Sequence, residues 1–248
     1  MKLDVIFEDN HLIVVNKPPL LPTMGTAPGE TSLLDGVKGY LKQKYHKPGN
    51  VYLGVVSRLD AWVSGLVVLA RTSKAAGRLS DQFRQRIPQK KYLAITPDLA
   101  GFPEFGTLQD RLLKNESYHK MVCLPLNNSP ALGKISDSAG PATGQLAILH
   151  YQTLAIHQGQ RLLAIELETG RKHQIRTQLA SRGCPILGDR KYGSTLEFSR
   201  GIALHSGFLE IVHPIQKEKI EFKAVPPGFW RLDRFGTHTF DKFVQQAF

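Results

Sequence analysis

Two apolar runs separated by a charged patch constrain the fold of this chain more than any other feature. Residues 53–56 and 66–70 are short, rich in valine and free of proline, which is typical of buried β-strands. Arg58 and Asp60 lie between them, and an unpaired buried charge is costly. These side chains therefore pair with each other, cap a turn or face a ligand, and the local sequence leaves these alternatives open.

The balance of charge indicates a polyanionic partner. The 248 residues carry 32 Lys and Arg against 21 Asp and Glu, a formal net charge of +11. Such a basic surface is typical of proteins that bind nucleic acid, anionic membranes or phosphorylated ligands. No stretch approaches about 18 consecutive apolar residues, so we expect no transmembrane helix and no membrane partner. Residues 1–9 carry acids where a signal peptide would be basic and then apolar, and we expect a cytoplasmic protein.

Hydrophobic periodicity predicts strands interleaved with helices. Residues 3–16 have the pattern of a β-hairpin. Thr31-Ser32 and Thr72-Ser73 precede apolar stripes, and they predict a helix over 33–44 and a second helix that ends at about Arg86. Further strands are predicted at residues 89–95, 146–154, 161–167, 202–205, 209–212 and 218–225, with short strands and loops over 96–142.

A third helix is predicted between Gly170 and Gly183. Ile175 and Leu179 are four residues apart and face the core in this interpretation, whereas Arg176 lies on another face. Gly183 suits a left-handed helix C-cap. Interleaved strands and helices with both hairpins and crossovers favour an α+β fold with one mixed sheet, and we expect a single catalytic domain over residues 1–248.

Motifs for cofactors and metals are missing from the sequence. It contains no Gly-x-Gly-x-x-Gly and no Walker loop, so we expect no nucleotide cofactor. Cys123 and Cys184 are far apart, and none of the histidines has a metal-ligand spacing. We therefore expect neither a metal site nor a disulfide framework.

Three residues are the candidates for chemistry, and each has a structural alternative. Asp60 is a carboxylate at the end of a buried strand. Tyr92 follows Lys90-Lys91 at the start of a predicted strand, where a core or interface aromatic is the commoner role. Arg176 is the interior cation of a basic helix, for which a solvated face is the commoner explanation. The residues alone indicate a basic, mixed α/β protein that binds nucleic acid, with Asp60 as the candidate catalytic carboxylate.

Segments in a fixed order give the chain a resemblance to one family. They are Leu12–Pro18 with its Asn-Lys-Pro ending, Arg58-Leu59-Asp60 with Ser64-Gly65-Leu66, Lys90–Ala94, Thr169–Arg176 with Gly183–Gly193, and Leu204-His205-Ser206 with His213-Pro214. In this order they resemble the motifs of the RluA-type pseudouridine synthases. The resemblance spans about residues 7 to 214, and the block over 169–193 is its most specific part.

The resemblance implies an RNA isomerase that works without cofactor or metal. It would convert uridine to pseudouridine in tRNA or rRNA, on one long mixed, mostly antiparallel sheet flanked by helices, with the active-site cleft across its middle. Asp60 would be the ionised carboxylate that attacks the base or the ribose. Arg176 would supply the cation that keeps Asp60 ionised, and Tyr92 would pack on the uracil and assist proton removal from C5.

The resemblance also implies the contacts with RNA. Arg58 would enter the RNA stack and hold the space left by the flipped nucleotide. The residues expected to contact phosphates are Lys90, Lys91, Arg171, Lys172 and His173. We expect a monomer, with no S4-like RNA-binding domain before the catalytic domain and with substrate choice set by the loops at residues 20–32 and 100–142.

Two departures from the family pattern lie beside Asp60. Ser57 stands where the family usually has histidine. The family usually has Asp-Arg or Asp-Lys followed by Thr-Ser-Gly, whereas this chain has Asp60-Ala61-Trp62-Val63-Ser64-Gly65. An inactive RNA-binding protein, or RNA chaperone, on the same fold is the alternative that these departures raise. Retention of Asp60, Tyr92 and Arg176 together favours the enzyme, because RNA binding alone does not need the three as a set.

Overall fold

The computed structural model describes residues 2–25, 29–117, 119–124, 144–246 and 248. The elements of the described residues are, in chain order, β1 (Asp4–Glu8), β2 (Leu12–Lys17), α1 (Leu33–Lys44), β3 (Gly54–Val55), β4 (Ser64–Ala70), α2 (Ser73–Arg84), β5 (Gln89–Pro97), β6 (Phe105–Asn115), β7 (Lys120–Leu124), β8 (Gln145–His157), β9 (Gln160–Leu167), α3 (Gln174–Ala180), β10 (Leu204–Val212), β11 (Lys219–Lys223) and α4 (Thr239–Gln245). Strands and helices mix as the α+β prediction requires, which confirms that prediction.

The chain forms two compact units. Unit 1 comprises Met1–Tyr92 and Leu204–Trp230, and unit 2 comprises Leu93–Ala203 and Arg231–Phe248. In unit 1 the strands follow the order β1-β2-β4-β10, with β3 beside β4 and β11 beside β10. The β4–β10 pair is parallel, whereas β1–β2, β2–β4, β3–β4 and β10–β11 are antiparallel.

The sheet of unit 1 is covered by a helix on each face. Alternate residues of a strand point to opposite faces, so Leu12 and Val14 of β2 pack in the cluster that contains Leu79 of α2. Ile13 and Val15 pack in the other cluster, which contains the apolar stripe of α1. Burial on both faces explains why β2 and β4 are continuous apolar runs and not alternating ones.

Local capping groups start both helices where the sequence predicts them. The Ser32 side chain accepts the N–H of Asp35, and the Asp35 carboxylate accepts the N–H of Ser32, which completes a capping box. The Thr72 hydroxyl accepts the N–H of Ala75 at the start of α2. α1 has the predicted bounds, and α2 ends at Arg84, two residues before the predicted end.

A glycine allows β4 and β10 to approach each other closely. Gly65 pairs with Ser206 of β10 on one side and with Lys17 of β2 on the other. Its φ of +120° is one that side-chain-bearing residues rarely adopt, and a Cβ there would lie 2.3 Å from the Ser206 carbonyl oxygen. Lys17, Gly65 and Ser206 therefore form one row across the sheet.

Unit 2 contains an antiparallel sheet in the order β9-β8-β6-β7. The predicted strands at 146–154 and 161–167 are confirmed, but β6 is an eleven-residue strand where only short strands and loops were expected. Gly183 has the predicted left-handed φ, +77°. Of the loops expected to choose the substrate, residues 26–28, 118 and 125–142 lie outside the described residues.

The largest differences in strand length concern three of the predicted strands. The stretch 53–56 forms only the two-residue β3. The predicted strands at 202–205 and 209–212 are one strand, β10, because Ser206 and Gly207 continue the ladder. Among the described residues no helix is long and apolar enough to cross a membrane.

We expect Gly65→Ala to destabilise the protein by about 3 kcal/mol or more, since a positive φ alone costs about 1–3 kcal/mol and the Cβ also meets the Ser206 backbone. Urea unfolding would measure the loss. Gly77→Ala is the matched control: Gly77 lies inside α2 with open space around its Cα, and alanine there should stabilise by about 0.5–1 kcal/mol. Equal stability of Gly65→Ala and wild type would contradict the close approach.

Candidate active site

Asp60 lies on a tight turn between β3 and β4. The N–H of Val63 donates to the Asp60 carbonyl at 3.1 Å, and Val63 is buried. The Asp60 side chain is half-buried and Arg58 is exposed. Ser57, one of the departures from the family pattern, bonds the backbone of Val68 in both directions, at 3.3 and 3.4 Å. The turn is thus fixed to β4 at both ends.

A buried lysine holds the Asp60 turn from the side of β2. The Lys17 ammonium donates to the carbonyls of Pro18, Leu21 and Ala61 at 3.0, 2.8 and 3.2 Å. Burial lowers the pKa of Lys17 to about 7, and the nearby negative charge of Asp60 opposes this shift. Lys17 therefore both ties the turn to the end of β2 and places a cationic group within Coulombic reach of Asp60.

Tyr92 lies close enough to Asp60 for the carboxylate charge to affect its pKa. Burial, with a smaller contribution from the Asp60 charge, raises the pKa of the Tyr92 phenol to about 12, and a side-chain hydrogen bond with Ser206 opposes this rise. Ser206 is the β10 partner of Gly65. The close approach at Gly65 therefore also sets the position of Ser206, which hydrogen-bonds Tyr92. Unit 1 thus brings Asp60 and Tyr92 together, as the sequence predicts for the site.

His205 anchors the start of β4 to β10. Its Nε2–H donates to the Ala224 carbonyl at 2.8 Å, and its Nδ1 lies 2.9 Å from the Ser64 hydroxyl. Full burial lowers the pKa of His205 to about 4, so the ring is neutral and Nδ1 accepts the Ser64 hydroxyl hydrogen. These bonds give Ser64 and His205 a structural role beside the Asp60 turn.

The two lysines before Tyr92 are less exposed than a phosphate contact would need. Lys91 is buried, and its ammonium lies 5.0 Å from the centroid of the Phe208 ring. Burial and the charge of Arg86 lower the pKa of Lys90. Their contact with phosphates stays a prediction.

In unit 2, Arg176 is buried and forms a two-pronged ion pair. Its Nε and Nη2 donate to the two carboxylate oxygens of Asp189, both at 2.7 Å, and its guanidinium lies 4.9 Å from the centre of the Tyr192 ring. The interpretation of Arg176 as part of a solvated basic face is therefore wrong, because Asp189, thirteen residues later in the chain, neutralises it inside unit 2. Its pairing with Asp60 stays a prediction.

The residues just before α3 have different degrees of exposure. His173 has a left-handed backbone, and its Nδ1 lies 2.8 Å from the Tyr192 hydroxyl. Arg171 donates through Nε to the Leu146 carbonyl, whereas Lys172 is exposed. Of the three, Lys172 has the accessibility that a phosphate contact requires, and the predicted roles of all three stay predictions.

Sequence reasoning missed the positioning roles of Lys17, Ser64 and Ser206. A signal for Lys17 was present, since a lysine at the end of the uninterrupted apolar strand 12–15 is unusual. Ser206 carries no signal of its own, because only the pairing of β10 with β4 brings it beside Gly65. The described residues contain no group of three or more His, Cys, Asp or Glu side chains arranged to hold a metal ion.

Breaking the Arg176–Asp189 pair should destabilise the protein strongly. Arg176→Met leaves a buried carboxylate without its cation, and we expect a loss of about 3–5 kcal/mol in the free energy of unfolding. Arg190→Met is the control, because the Arg190–Glu197 pair is exposed and its loss should change stability by less than about 1 kcal/mol. Similar losses for the two variants in urea unfolding would contradict the difference in burial.

The pH dependence of stability should report the buried Lys17. Its pKa falls from 10.5 in the unfolded chain to about 7 in the folded protein, so between these values the unfolded state binds more protons and stability rises with pH. Above about pH 7, the free energy of unfolding of wild type should rise relative to that of Lys17→Met by up to about 1.4 kcal/mol per pH unit. Urea unfolding of both proteins from about pH 6 to 10 measures this difference, and a constant difference would contradict the lowered pKa.

Comparison with known proteins identifies the family of the chain. The family described as RNA pseudouridylate synthase matches residues 11–181. An uncharacterized RNA pseudouridine synthase of Bacillus subtilis, YhcT, is 32% identical over 92% of this chain and 70% of its own length. The dual-specificity RNA pseudouridine synthase RluA of Haemophilus ducreyi is 31% identical over 90% of this chain and 93% of its own length.

A solved structure agrees with these relatives. Human RNA pseudouridylate synthase domain containing 4 superposes with a TM-score of 0.75 at 26% identity, covering 94% of this chain and 92% of that protein. The relatives are named as synthases, so the alternative of an inactive RNA-binding protein is not favoured. The chain belongs to the RNA pseudouridine synthases of the RluA type, isomerases that act on RNA.

Proposed function

We propose that Asp60 is the carboxylate through which this synthase isomerises uridine. The observation that carries the proposal is the electrostatic coupling of Asp60 to the buried Lys17 ammonium and to the half-buried Tyr92 phenol. A carboxylate in a desolvated site tends to be protonated, and a cation nearby opposes this. Lys17 lies close enough to act in this way, and Arg176 is the second proposed cation.

The reaction replaces the bond between N1 of the base and C1′ of the ribose by a bond between C5 and C1′. Asp60 forms a transient bond to the base or to the ribose, the bond between N1 and C1′ breaks, and the base rotates. A new bond joins C5 to C1′, C5 loses its proton and N1 gains one, so substrate and product are isomers. Asp60 is released when the new bond forms.

Tyr92 packs against the uracil in this proposal. Its pKa of about 12 keeps the phenol neutral near pH 7, so the hydroxyl can take the C5 proton only while it passes its own proton to Ser206 or water. Packing and orientation of the base are therefore its main proposed roles. Arg58, which is exposed beside the turn, is proposed to occupy the space of the flipped nucleotide.

The proposed substrate is tRNA or rRNA, bound to a monomer in the cytoplasm without a metal ion. The relative from Zymomonas mobilis that is 31% identical to this chain is named ribosomal large subunit pseudouridine synthase D, which supports rRNA as one substrate. The net charge of +11 supports a polyanionic partner. The proposed phosphate contact is Lys172, which is exposed. Lys90, Lys91, Arg171 and His173 would reach a phosphate only if RNA binding exposed them further.

Replacement of Asp60 tests the proposal. Unmodified tRNA and rRNA transcripts would be incubated with each protein, and pseudouridine would be counted by mass spectrometry. We expect Asp60→Asn to lower the rate at least about a thousandfold, because removal of a covalent catalyst has effects of this size or larger.

Asp81→Asn is the matched control, because Asp81 is an exposed carboxylate of unit 1 that pairs with its exposed helical neighbour Arg84. Its rate should equal that of wild type. RNA binding, measured by filter retention, should persist in Asp60→Asn. Equal pseudouridine formation by wild type and Asp60→Asn would contradict the assignment.

A further inference from the structure

An exposed tryptophan lies two residues after Asp60. The chain has two tryptophans; Trp230 is 1% exposed, whereas Trp62 is 52% exposed. Leaving an indole in water forgoes much of the free energy that burial of such a large apolar surface provides. A single exposed aromatic is ordinary by itself, but Trp62 lies on a turn whose backbone is held in place and whose neighbours are exposed as well.

The backbone of Trp62 is fixed on both sides although its side chain is exposed. The Lys17 ammonium donates to the carbonyl of Ala61, the residue before it. The N–H of Val63, the residue after it, donates to the Asp60 carbonyl, and the Val63 side chain is buried. The turn thus presents the indole in a defined position beside Asp60, with little freedom of the backbone left to lose on binding.

A second exposed apolar segment is fastened to the same turn. Thr23 bonds Leu59 in both directions: its hydroxyl donates to the Leu59 carbonyl at 2.9 Å and accepts the Leu59 N–H at 3.2 Å. The loop that carries Thr23 also carries Leu20 and Met24, two of the large apolar side chains that remain exposed. The Asp60 turn and this loop therefore present apolar side chains to solvent while their backbones hold each other.

The charge around this surface indicates its occupant. Arg58 is exposed on the same turn, whereas Lys17 is fully buried and does not face a ligand phosphate. An exposed aromatic ring and an exposed guanidinium on one turn are the combination that binds single-stranded nucleic acid: bases stack on the ring while cations meet the backbone. The substrate of this family is RNA, and a flipped uridine leaves its neighbours unstacked on one side.

We propose that Trp62 stacks on a base next to the target uridine and thereby favours sites whose neighbouring nucleotide is unpaired. This inference rests on the proposed role of Asp60, since the position of Trp62 is argued relative to that carboxylate. Stacking tolerates every base because each has a π-face. Trp62 therefore selects for an unpaired, accessible neighbour, and for purines through their larger stacking area.

Tryptophan fluorescence tests the stacking directly. The probe is a uridine-containing RNA oligomer of about ten nucleotides, and the control ligand is an oligomer of the same length in which every base except one uridine is replaced by an abasic ribose. We expect the first to quench the emission of Trp62 and the second, which has the same phosphates, to quench it much less. Trp62→Phe, in which buried Trp230 is the remaining emitter, should show no base-dependent quenching.

Binding and turnover of matched variants complete the test. Trp62→Ala should bind the base-containing oligomer about tenfold more weakly than wild type, and Trp62→Phe should retain most of the affinity because a phenyl ring also stacks. Tyr52→Ala is the control, because Tyr52 is 51% exposed in the same unit and should leave binding and the rate on tRNA and rRNA transcripts unchanged.

The outcomes separate this inference from the assignment of Asp60. In Asp60→Asn the RNA should still quench Trp62 although turnover is lost. If Asp60→Asn showed quenching together with normal turnover, the role of Asp60 would be contradicted while the stacking of Trp62 would stand. Equal quenching by the two oligomers, equal affinity of Trp62→Ala and wild type, or an emission change that follows protein concentration without RNA would each overturn the inference. The last result would assign the exposed surface to self-association.

Discussion

The close parallel approach of β4 and β10 at Gly65 is the constraint on which the candidate site depends. Without a side chain at Gly65, the Ser206 backbone fits against β4, and the Ser206 hydroxyl reaches Tyr92. On the other side of Gly65 lies Lys17, which holds the Asp60 turn through Ala61. One row across the sheet thus sets the positions of both the carboxylate and the phenol, and His205 with Ser64 fixes the same pair of strands one residue earlier.

The electrostatics of the site follow from the burial of this row. A fully buried ammonium is costly unless its donors are bonded, and three carbonyls satisfy the three hydrogens of Lys17. Burial brings its pKa near 7, whereas burial brings that of Tyr92 near 12. The same low-dielectric surroundings therefore make Lys17 a readily titrated cation and keep Tyr92 a neutral phenol beside Asp60.

The features that the sequence predicted correctly depend on neighbours in the chain. The helix cap at Ser32 and the left-handed Gly183 are set by residues a few positions apart, so their patterns are visible in one dimension. The α+β fold follows in the same way from the alternation of strands and helices. The role of Asp60 was expected from family resemblance, and the structure adds its coupling to Tyr92 and Lys17 in unit 1.

The features that the sequence did not predict depend on distant pairs. Nothing near Arg176 indicates that Asp189 will bury and neutralise it, because thirteen residues and a turn separate them. Likewise, the contact of Ser206 with Gly65 joins strands that are far apart in the chain. The length of β6 was missed because its apolar residues are interrupted by Gln109, Asp110 and Arg111. The Asp110 carboxylate accepts hydrogen bonds from Gln178 and Arg182, which lie about 70 residues later in the chain.

A structure of the protein with an RNA that carries 5-fluorouridine at the modified position tests the central claim most directly. With fluorine at C5, that carbon has no proton to lose after the new bond forms. The last step is therefore blocked, and the base remains in the site. The account predicts the fluorinated ring packed on Tyr92, with the Asp60 carboxylate within bonding or van der Waals distance of the base or of ribose C1′, about 4 Å or less. A ring bound away from Tyr92, with Asp60 facing only solvent, would contradict it.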